Sequence, residues 1–288
     1  CYHGAHDSVL VKAGSGAAHQ GISFSEGGLE ETSKQTLVVQ YNNSQELDHI
    51  LQKQKDVAGV IIEPVLANMG LIPPQKKFLY DIRKITRDHD IPLIFDEVIT
   101  GYRMSPGGAQ QYFSIKPDIT TLGKALGNGF VIAAVGGKAE IMDKLSPQGK
   151  VYQASTYAGN PVSVSAAIAS VKTLNRHKNR IYPKLEVCCA ILARTIGDLA
   201  QDLKIPHQIN FISSMFQIFF TDKPVTDYRT AKRADAKKFK KLFKALLKNG
   251  IFIAPSQFET VFLSDAHTIP DIQKTIDAYH KSLKAVKG

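Results

Sequence analysis

The sequence predicts an α/β fold, a mostly parallel sheet with helices on both faces, followed by a smaller α+β C-terminal domain. Three successive stretches carry this expectation. Residues 57–65, VAGVIIEPV, form a near-continuous branched apolar run of the kind buried on both faces of a parallel sheet. Residues 73–90, PPQKKFLYDIRKITRDHD, have the pattern of an amphipathic helix started by proline. The strand IPLIFDEV follows at 91–98. A β, α, β succession implies a right-handed crossover, with functional groups expected where the strands end at the carboxyl edge of the sheet. Glu63 and Asp96 both stand at such ends.

In chain order, the opening CYHGAHDSVLVKAGSG has no initiator methionine, targeting pattern or helix cap, and reads as starting in mid-domain. Residues 15–32, rich in Gly, Ser and Glu without a steady period, read as a mobile loop. Beyond the β, α, β unit, VIAAVGG at 131–137 reads as a further strand. NPVSVSAAIASVKTLNRH at 160–177 reads as a helix that opens with Asn and Pro and carries small residues for close packing. These segments form a first domain, 1–178. In the second, 179–288, helices at 181–203, 226–249 and 268–286 alternate with short strands near 205–221, 251–254 and 260–264.

With 288 residues and 43% hydrophobic content the chain can bury a sizeable core. No apolar run reaches the roughly 18 to 20 residues of a membrane-spanning helix, so no membrane association is expected. The three cysteines, Cys1, Cys188 and Cys189, are odd in number and two are adjacent. That argues against a disulfide framework and for a reducing, cytoplasmic setting. Much of the net charge of +10 lies in residues 232–250, where Phe239, Leu242, Phe243 and Leu246 fall on one helical stripe with lysines on the solvated side. There is no aromatic stacking platform and no zinc or helix-turn-helix pattern beside these charges, so neither a nucleic-acid partner nor a metal site is expected.

The chemistry concentrates in LIFDEVITGYR, 93–103, and TTLGKALGNGF, 120–130. A carboxylate closing a buried strand is costly unless it has a cationic or hydrogen-bonding partner, and for either Asp96 or Glu97 a salt bridge to Arg103 is one explanation. Alternation sends the two acids to opposite faces and puts Asp96 on the side of Val98. An acid beside a small branched apolar surface suits a protonated heteroaromatic ring. Lys124, bracketed by Gly123, Gly127 and Gly129, supplies an amine that attacks a carbonyl when neutral. QASTYAGNP at 153–161 adds hydroxyls before a helix. The combination describes a pyridoxal phosphate site, the lysine holding the aldehyde and the aspartate keeping the ring nitrogen protonated.

Taken together, YHG at 2–4, LVKAGSG at 10–16, IIEPVLANMG at 61–70, IFDEVITGYR at 94–103, PDITTLGKALGNG at 117–129, VYQASTYAGNP at 151–161, SMFQIFFT at 214–221 and APSQFE at 254–259 resemble the class III aminotransferases of the fold type I pyridoxal phosphate enzymes. EPVLANMG, VYQAST, SMFQIFF and APSQFE resemble their glutamate-1-semialdehyde 2,1-aminomutase branch in particular. The resemblance implies that Lys124 forms a Schiff base with pyridoxal 5'-phosphate, that Asp96 pairs with the pyridine nitrogen and that Val98 packs on one ring face. Tyr2 would stack on the other face beside His3. Glu63 and Asn68 would line the ring's polar edge, and Thr156 would reach the cofactor phosphate of the neighbouring subunit of a homodimer. Core packing is the plain alternative for Tyr2 and Val98, and capping of the following helix is the alternative for Thr156. The implied reaction converts glutamate 1-semialdehyde to 5-aminolevulinate for tetrapyrrole synthesis, cycling through the pyridoxamine form, with 15–32 in the place of a gate loop.

The chain departs from the family pattern in YHGAHD for YHGHAD, GNGFV for GGGxP, QAST for QAGT and SEGGLEE in the gate segment. The family's Ser-Gly-Thr phosphate cradle and its arginine for the substrate carboxylate precede the matched segments. The chain as given therefore reads as N-terminally incomplete and is expected to bind the cofactor poorly. A class III aminotransferase with a separate amino donor, and a truncated non-catalytic relative, are the alternatives to an aminomutase.

Overall fold

A computed structural model of the chain describes residues 1, 11 and 29–287. Its elements in chain order are α1 (Glu30–Ser33), α2 (Ser44–Lys53), β1 (Val60–Ile62), α3 (Phe78–Asp88), β2 (Leu93–Glu97), α4 (Gly108–Tyr112), β3 (Ile119–Leu122), a 3-10 turn (Lys124–Leu126), β4 (Ala134–Gly137) and α5 (Ala139–Met142). There follow α6 (Pro161–Arg176), α7 (Lys178–Asp202), β5 (Gln208–Ile212), β6 (Met215–Phe219), α8 (Tyr228–Lys232), α9 (Ala236–Lys248), β7 (Val261–Phe262) and α10 (Ile269–Lys284). Two compact units result. One comprises Ser44–Pro64 and Lys76–Tyr182, and the other Cys1–Asn43, Val65–Gln75 and Pro183–Gly288. Residues 65–75 thus group by backbone contact with the C-terminal part of the chain. Among the described residues no helix is long and apolar enough to cross a membrane.

The first unit is built on the sheet β1-β2-β3-β4. β1, β2 and β3 run parallel, and β4 closes the edge antiparallel to β3. β1 is shorter than the apolar run from 57 to 65 and stops ahead of Pro64, which has no N–H for the ladder. α3 begins after the two prolines, since Lys77 adopts a left-handed φ of 71° and the helix starts only beyond it. The buried side chains of α3 are Phe78, Leu79, Ile82, Arg83 and Thr86, one stripe at helical spacing. An arginine on that stripe needs a partner, and it finds Asp118.

Asp118 joins the starts of β2 and β3 to the end of the antiparallel β4. Its backbone N–H donates to the Leu93 carbonyl at 2.8 Å, its Oδ2 accepts from Leu93 N–H at 2.8 Å, and its carbonyl accepts from Lys138 N–H at 3.0 Å. Arg83 Nη1 donates to Oδ2 at 2.6 Å and Lys138 Nζ lies 2.9 Å from Oδ1. Burial alone would raise the Asp118 pKa, yet Arg83, the Leu93 N–H and Lys138 together hold it down at about 2, below its ordinary 3.8.

In the second unit β5-β6-β7 form an antiparallel sheet. The expected helix 226–249 divides into α8 and α9, because Asp235 turns its side chain to cap α9 through Lys237 N–H and Lys238 N–H. No strand forms at 251–254. Where β7 would extend, the buried side chain of Gln217 on β6 donates instead to the carbonyls of Gln257 (3.1 Å) and Glu259. The loop 256–260 held in this way accepts from Gly70 N–H through the Phe258 carbonyl at 2.6 Å and donates from Thr260 Oγ1 to the Ala67 carbonyl at 2.9 Å. Cys188 and Cys189 are both free and buried, and burial pushes the Cys189 thiol up to about 12, which leaves it unreactive.

The Asp118 cluster makes stability depend on acid. A carboxyl held at about 2 against 3.8 contributes on the order of 2 kcal/mol. Because the folded value is the lower one, that contribution is complete above the unfolded pKa and disappears as pH falls from about 4 towards 2. Asp118→Asn is expected to cost about 3 kcal/mol at neutral pH, since it leaves Arg83 buried beside an uncharged partner, and to flatten the acid limb. Urea unfolding at several pH values checks both.

Candidate functional site

The register of the parallel strands places the expected residues side by side. Ile62 pairs with Phe95, so the next residues, Glu63 and Asp96, are neighbours at the carboxyl edge. Asp96 in turn pairs with Thr121, and Lys124 follows the end of β3 with only Gly123 between. Glu63 and Asp96 are 4% and 5% exposed, so water covers little of either carboxyl group. Lys124 is exposed.

β2 stops at Glu97, and the proximity of Val98 to Asp96 comes from a local turn: Val98 N–H donates to Asp96 Oδ1 at 3.1 Å. Thr121 Oγ1 lies 3.5 Å from the same oxygen. Gly123 is extended at φ −167°, and a Cβ built there would meet Val98 Cγ1 at 3.4 Å. The lysine segment and Val98 are therefore packed together at the edge that carries Asp96. Lys124 itself takes φ 42°, a left-handed conformation rare for a residue with a side chain. Such backbone is retained where the surroundings enforce it, and it concentrates at functional sites. A buried carboxylate, a small branched apolar side chain and an exposed amine on left-handed backbone fit the demands of pyridoxal phosphate.

Glu97 performs a different task on the opposite face. Its Oε2 accepts from Thr100 Oγ1 at 3.0 Å and Ala109 N–H at 2.5 Å, and its Oε1 from Gln110 N–H at 3.0 Å and Gln110 Nε2 at 3.1 Å. It is the acceptor for the start of α4, a role supplied by backbone donors rather than by the expected arginine. Arg103 donates through Nε to the Ile99 carbonyl at 3.1 Å, and burial lowers its pKa. Gly108 has φ 68°, and any side chain there would collide with the Glu97 carboxylate. A cleft of about 500 Å³ lined by Tyr102, Gly108, Gln110, Lys116 and Leu122 opens on this side and includes neither Asp96 nor Lys124.

Thr156 lies exposed in the turn ahead of α6, and α6 packs against the 3-10 turn of Lys124. The cap of α6 is Asn160, whose Oδ1 accepts from Val162 N–H and Ser163 N–H at 3.1 Å each. Capping is thereby removed as the explanation of Thr156. Asn68 is half-buried in the second unit, between the bridged residues Leu66 and Ile72, on the turn held by the 256–260 loop. Tyr2 and His3 lie outside the described residues, as does the expected gate segment 15–32 up to residue 28. Sequence reasoning missed Thr121 and the acceptor role of Glu97. Thr121 had a usable signal in the β-branched pair of ITTL ahead of Gly123.

Comparison with known proteins matches residues 1–286 to the family model described as Aminotransferase class-III. A glutamate-1-semialdehyde 2,1-aminomutase of Nitrosopumilus maritimus is 70% identical over all of this chain, which covers 68% of that protein. That of Aquifex aeolicus is 46% identical over 99% of this chain and 67% of its own length. The chain thus spans about two thirds of the relatives it matches. An omega-transaminase from Sphaerobacter thermophilus superposes with a TM-score of 0.89 at 28% identity, covering 100% of this chain and 67% of that one. A glutamate-1-semialdehyde aminomutase from Pseudomonas aeruginosa PAO1 in complex with PMP shares the fold, with a TM-score of 0.81 at 22% identity over 99% of this chain and 64% of that one.

The neighbouring acids should separate under substitution. Glu97→Gln turns an amide N–H towards donors and is expected to lower stability by about 1–3 kcal/mol. Asp96→Asn keeps Oδ1 for the Val98 N–H and should leave the unfolding midpoint within experimental error. Parallel denaturation curves of the two variants check this.

Proposed function

The chain belongs to the class III aminotransferase family, and on that premise we propose that it acts in the intramolecular amino transfer that converts glutamate 1-semialdehyde to 5-aminolevulinate for tetrapyrrole synthesis, with pyridoxal 5'-phosphate as cofactor. The observation that carries the reading is the row of Glu63, Asp96 and the Thr121–Lys124 segment at the carboxyl ends of three successive parallel strands. When bound, pyridoxal phosphate supplies an electron sink for the carbon that bears the transferred nitrogen.

The rest is the work of side chains. Lys124 would hold the cofactor covalently through Nζ and, once released from it, move a proton at the adjacent substrate carbon. Asp96, buried at the end of β2, would pair with the ring nitrogen and keep it protonated. Val98 would exclude water from one ring face. Tyr2 and His3 would serve the other face, Glu63 and Asn68 the polar edge, and Thr156 the phosphate of a neighbouring subunit. A homodimer is supported by the apolar surface around Thr156. Val151, Tyr157 and Val162 are all more than half exposed, and Tyr152 is 83% exposed. Residues 1–178 would then form the cofactor-binding domain and 179–288 the C-terminal one, in a cytoplasmic enzyme.

A donor-dependent aminotransferase is the second reading, favoured by the similarity to the omega-transaminase. The EPVLANMG, QAST and APSQFE segments, shared with no generic requirement of the fold, weigh for the aminomutase.

Two experiments on the full-length protein follow. Borohydride treatment in the presence of pyridoxal phosphate, followed by digestion and mass spectrometry, should place the label on Lys124; label on another lysine overturns the assignment. Protein loaded with the pyridoxamine form should convert glutamate 1-semialdehyde to 5-aminolevulinate over many turnovers without an added amino acid. Arrest after one cofactor equivalent, with recovery on addition of alanine or glutamate, would identify the donor-dependent enzyme.

A further inference from the structure

Among the contacts on the Asp96 carboxyl, two reach the same oxygen from different directions. The Val98 N–H that reaches Oδ1 at 3.1 Å belongs to the acid's own chain segment and moves with it. The Thr121 hydroxyl at 3.5 Å reaches the same oxygen from the neighbouring strand, where Thr121 is the register partner of Asp96. β3 ends one residue later, at Leu122, and the chain passes through Gly123, packed against Val98, directly into Lys124. Thr121 therefore stands on the segment that presents the amine, with its hydroxyl directed at the acid.

We propose that Thr121 is a positioning residue for the reaction: its hydroxyl fixes the plane of the Asp96 carboxyl group relative to the strand that carries Lys124. The proposal rests on the reading of Asp96 as the partner of the cofactor ring nitrogen. The terminal torsion of an aspartate is broad and weakly restrained by itself. A donor on the acid's own segment moves with the acid, whereas a donor from the neighbouring strand ties the carboxyl plane to that strand. The hydroxyl is half-buried, where a bond to a carboxylate is strengthened by the low local dielectric. At 3.5 Å it is long for such a bond, which sets the expected effect at several-fold rather than at abolition. Strand formation does not explain the hydroxyl, because valine has the same branched shape and an equal preference for strands.

The test uses the full-length protein, with Thr121→Val removing the hydroxyl at constant shape and Thr121→Ser restoring it. The measurements are the dissociation constant for pyridoxal phosphate, the pH titration of the bound cofactor's absorbance without substrate, and the thermal midpoint. Thr121→Val is expected to weaken binding about three- to tenfold and to move the spectral titration while leaving the midpoint nearly unchanged. Thr121→Ser should stay within about twofold of the parent. In an Asp96→Asn background, Thr121→Val should add nothing. Thr121→Ala against Thr121→Ser makes the same comparison should the valine variant fail to fold. Wild-type binding and titration in Thr121→Val, or equal impairment of the serine variant, overturns the proposal while Asp96→Asn remains impaired. If Asp96→Asn itself leaves affinity and spectrum unchanged, the reading of Asp96 falls and this proposal falls with it.

Discussion

The buried carboxylate of Asp118 is the constraint on which the sheet of the first unit depends. Parallel strands are joined through long connections, and nothing in a run of branched apolar residues specifies how far one slides along the next. Asp118 removes that freedom at the amino edge. It donates its backbone N–H to the Leu93 carbonyl at the start of β2 and accepts the Leu93 N–H on its side chain, receives Lys138 from beside β4, and takes Arg83 from the buried stripe of α3. With the starts aligned, the opposite ends are aligned too. Asp96 falls opposite Thr121, and Lys124 emerges one glycine beyond β3. A slip of one residue would turn Asp96 to the other face and separate it from the lysine segment.

At the carboxyl edge, consecutive acids serve opposite faces because a strand alternates. Glu97 is saturated by protein donors and ends its role in structure, as the anchor of the turn into α4. Gly108 meets the close approach this requires. Asp96 is buried at the end of the strand beside Val98 and the lysine segment, where a ligand carrying a protonated nitrogen would find a partner.

The second unit shows a comparable economy in polar contacts. Gln217 substitutes a side-chain amide for the strand pairing that β7 does not continue, and the loop thus held grips Ala67 and Gly70 on either side of Asn68. Gly70, at φ 75° and beneath the Phe219 ring, leaves no room for a side chain. The conformation of the Asn68 turn is therefore determined by residues far away in sequence.

Much of the placement of the candidate site was legible in the sequence, and the reason is local. The ends of branched apolar runs mark the ends of buried strands, so Glu63 and Asp96 could be placed at the carboxyl edge, and glycine spacing singled out Lys124. The stripe on α9 and the α/β succession followed from period alone. What tertiary structure decided were the partners. The pair Arg83 and Asp118 lies on separate elements, and no spacing rule joins them. Glu97 looked like a match for Arg103 until the backbone of α4 supplied its donors, and Asn160 rather than Thr156 proved to cap α6. β3, with half-buried side chains in place of an apolar run, carried too weak a pattern to be recognised. Periodicity reports which face of an element is buried, because that depends on the element alone. Hydrogen-bond partnership depends on where a second element lies, and only the folded chain contains that information.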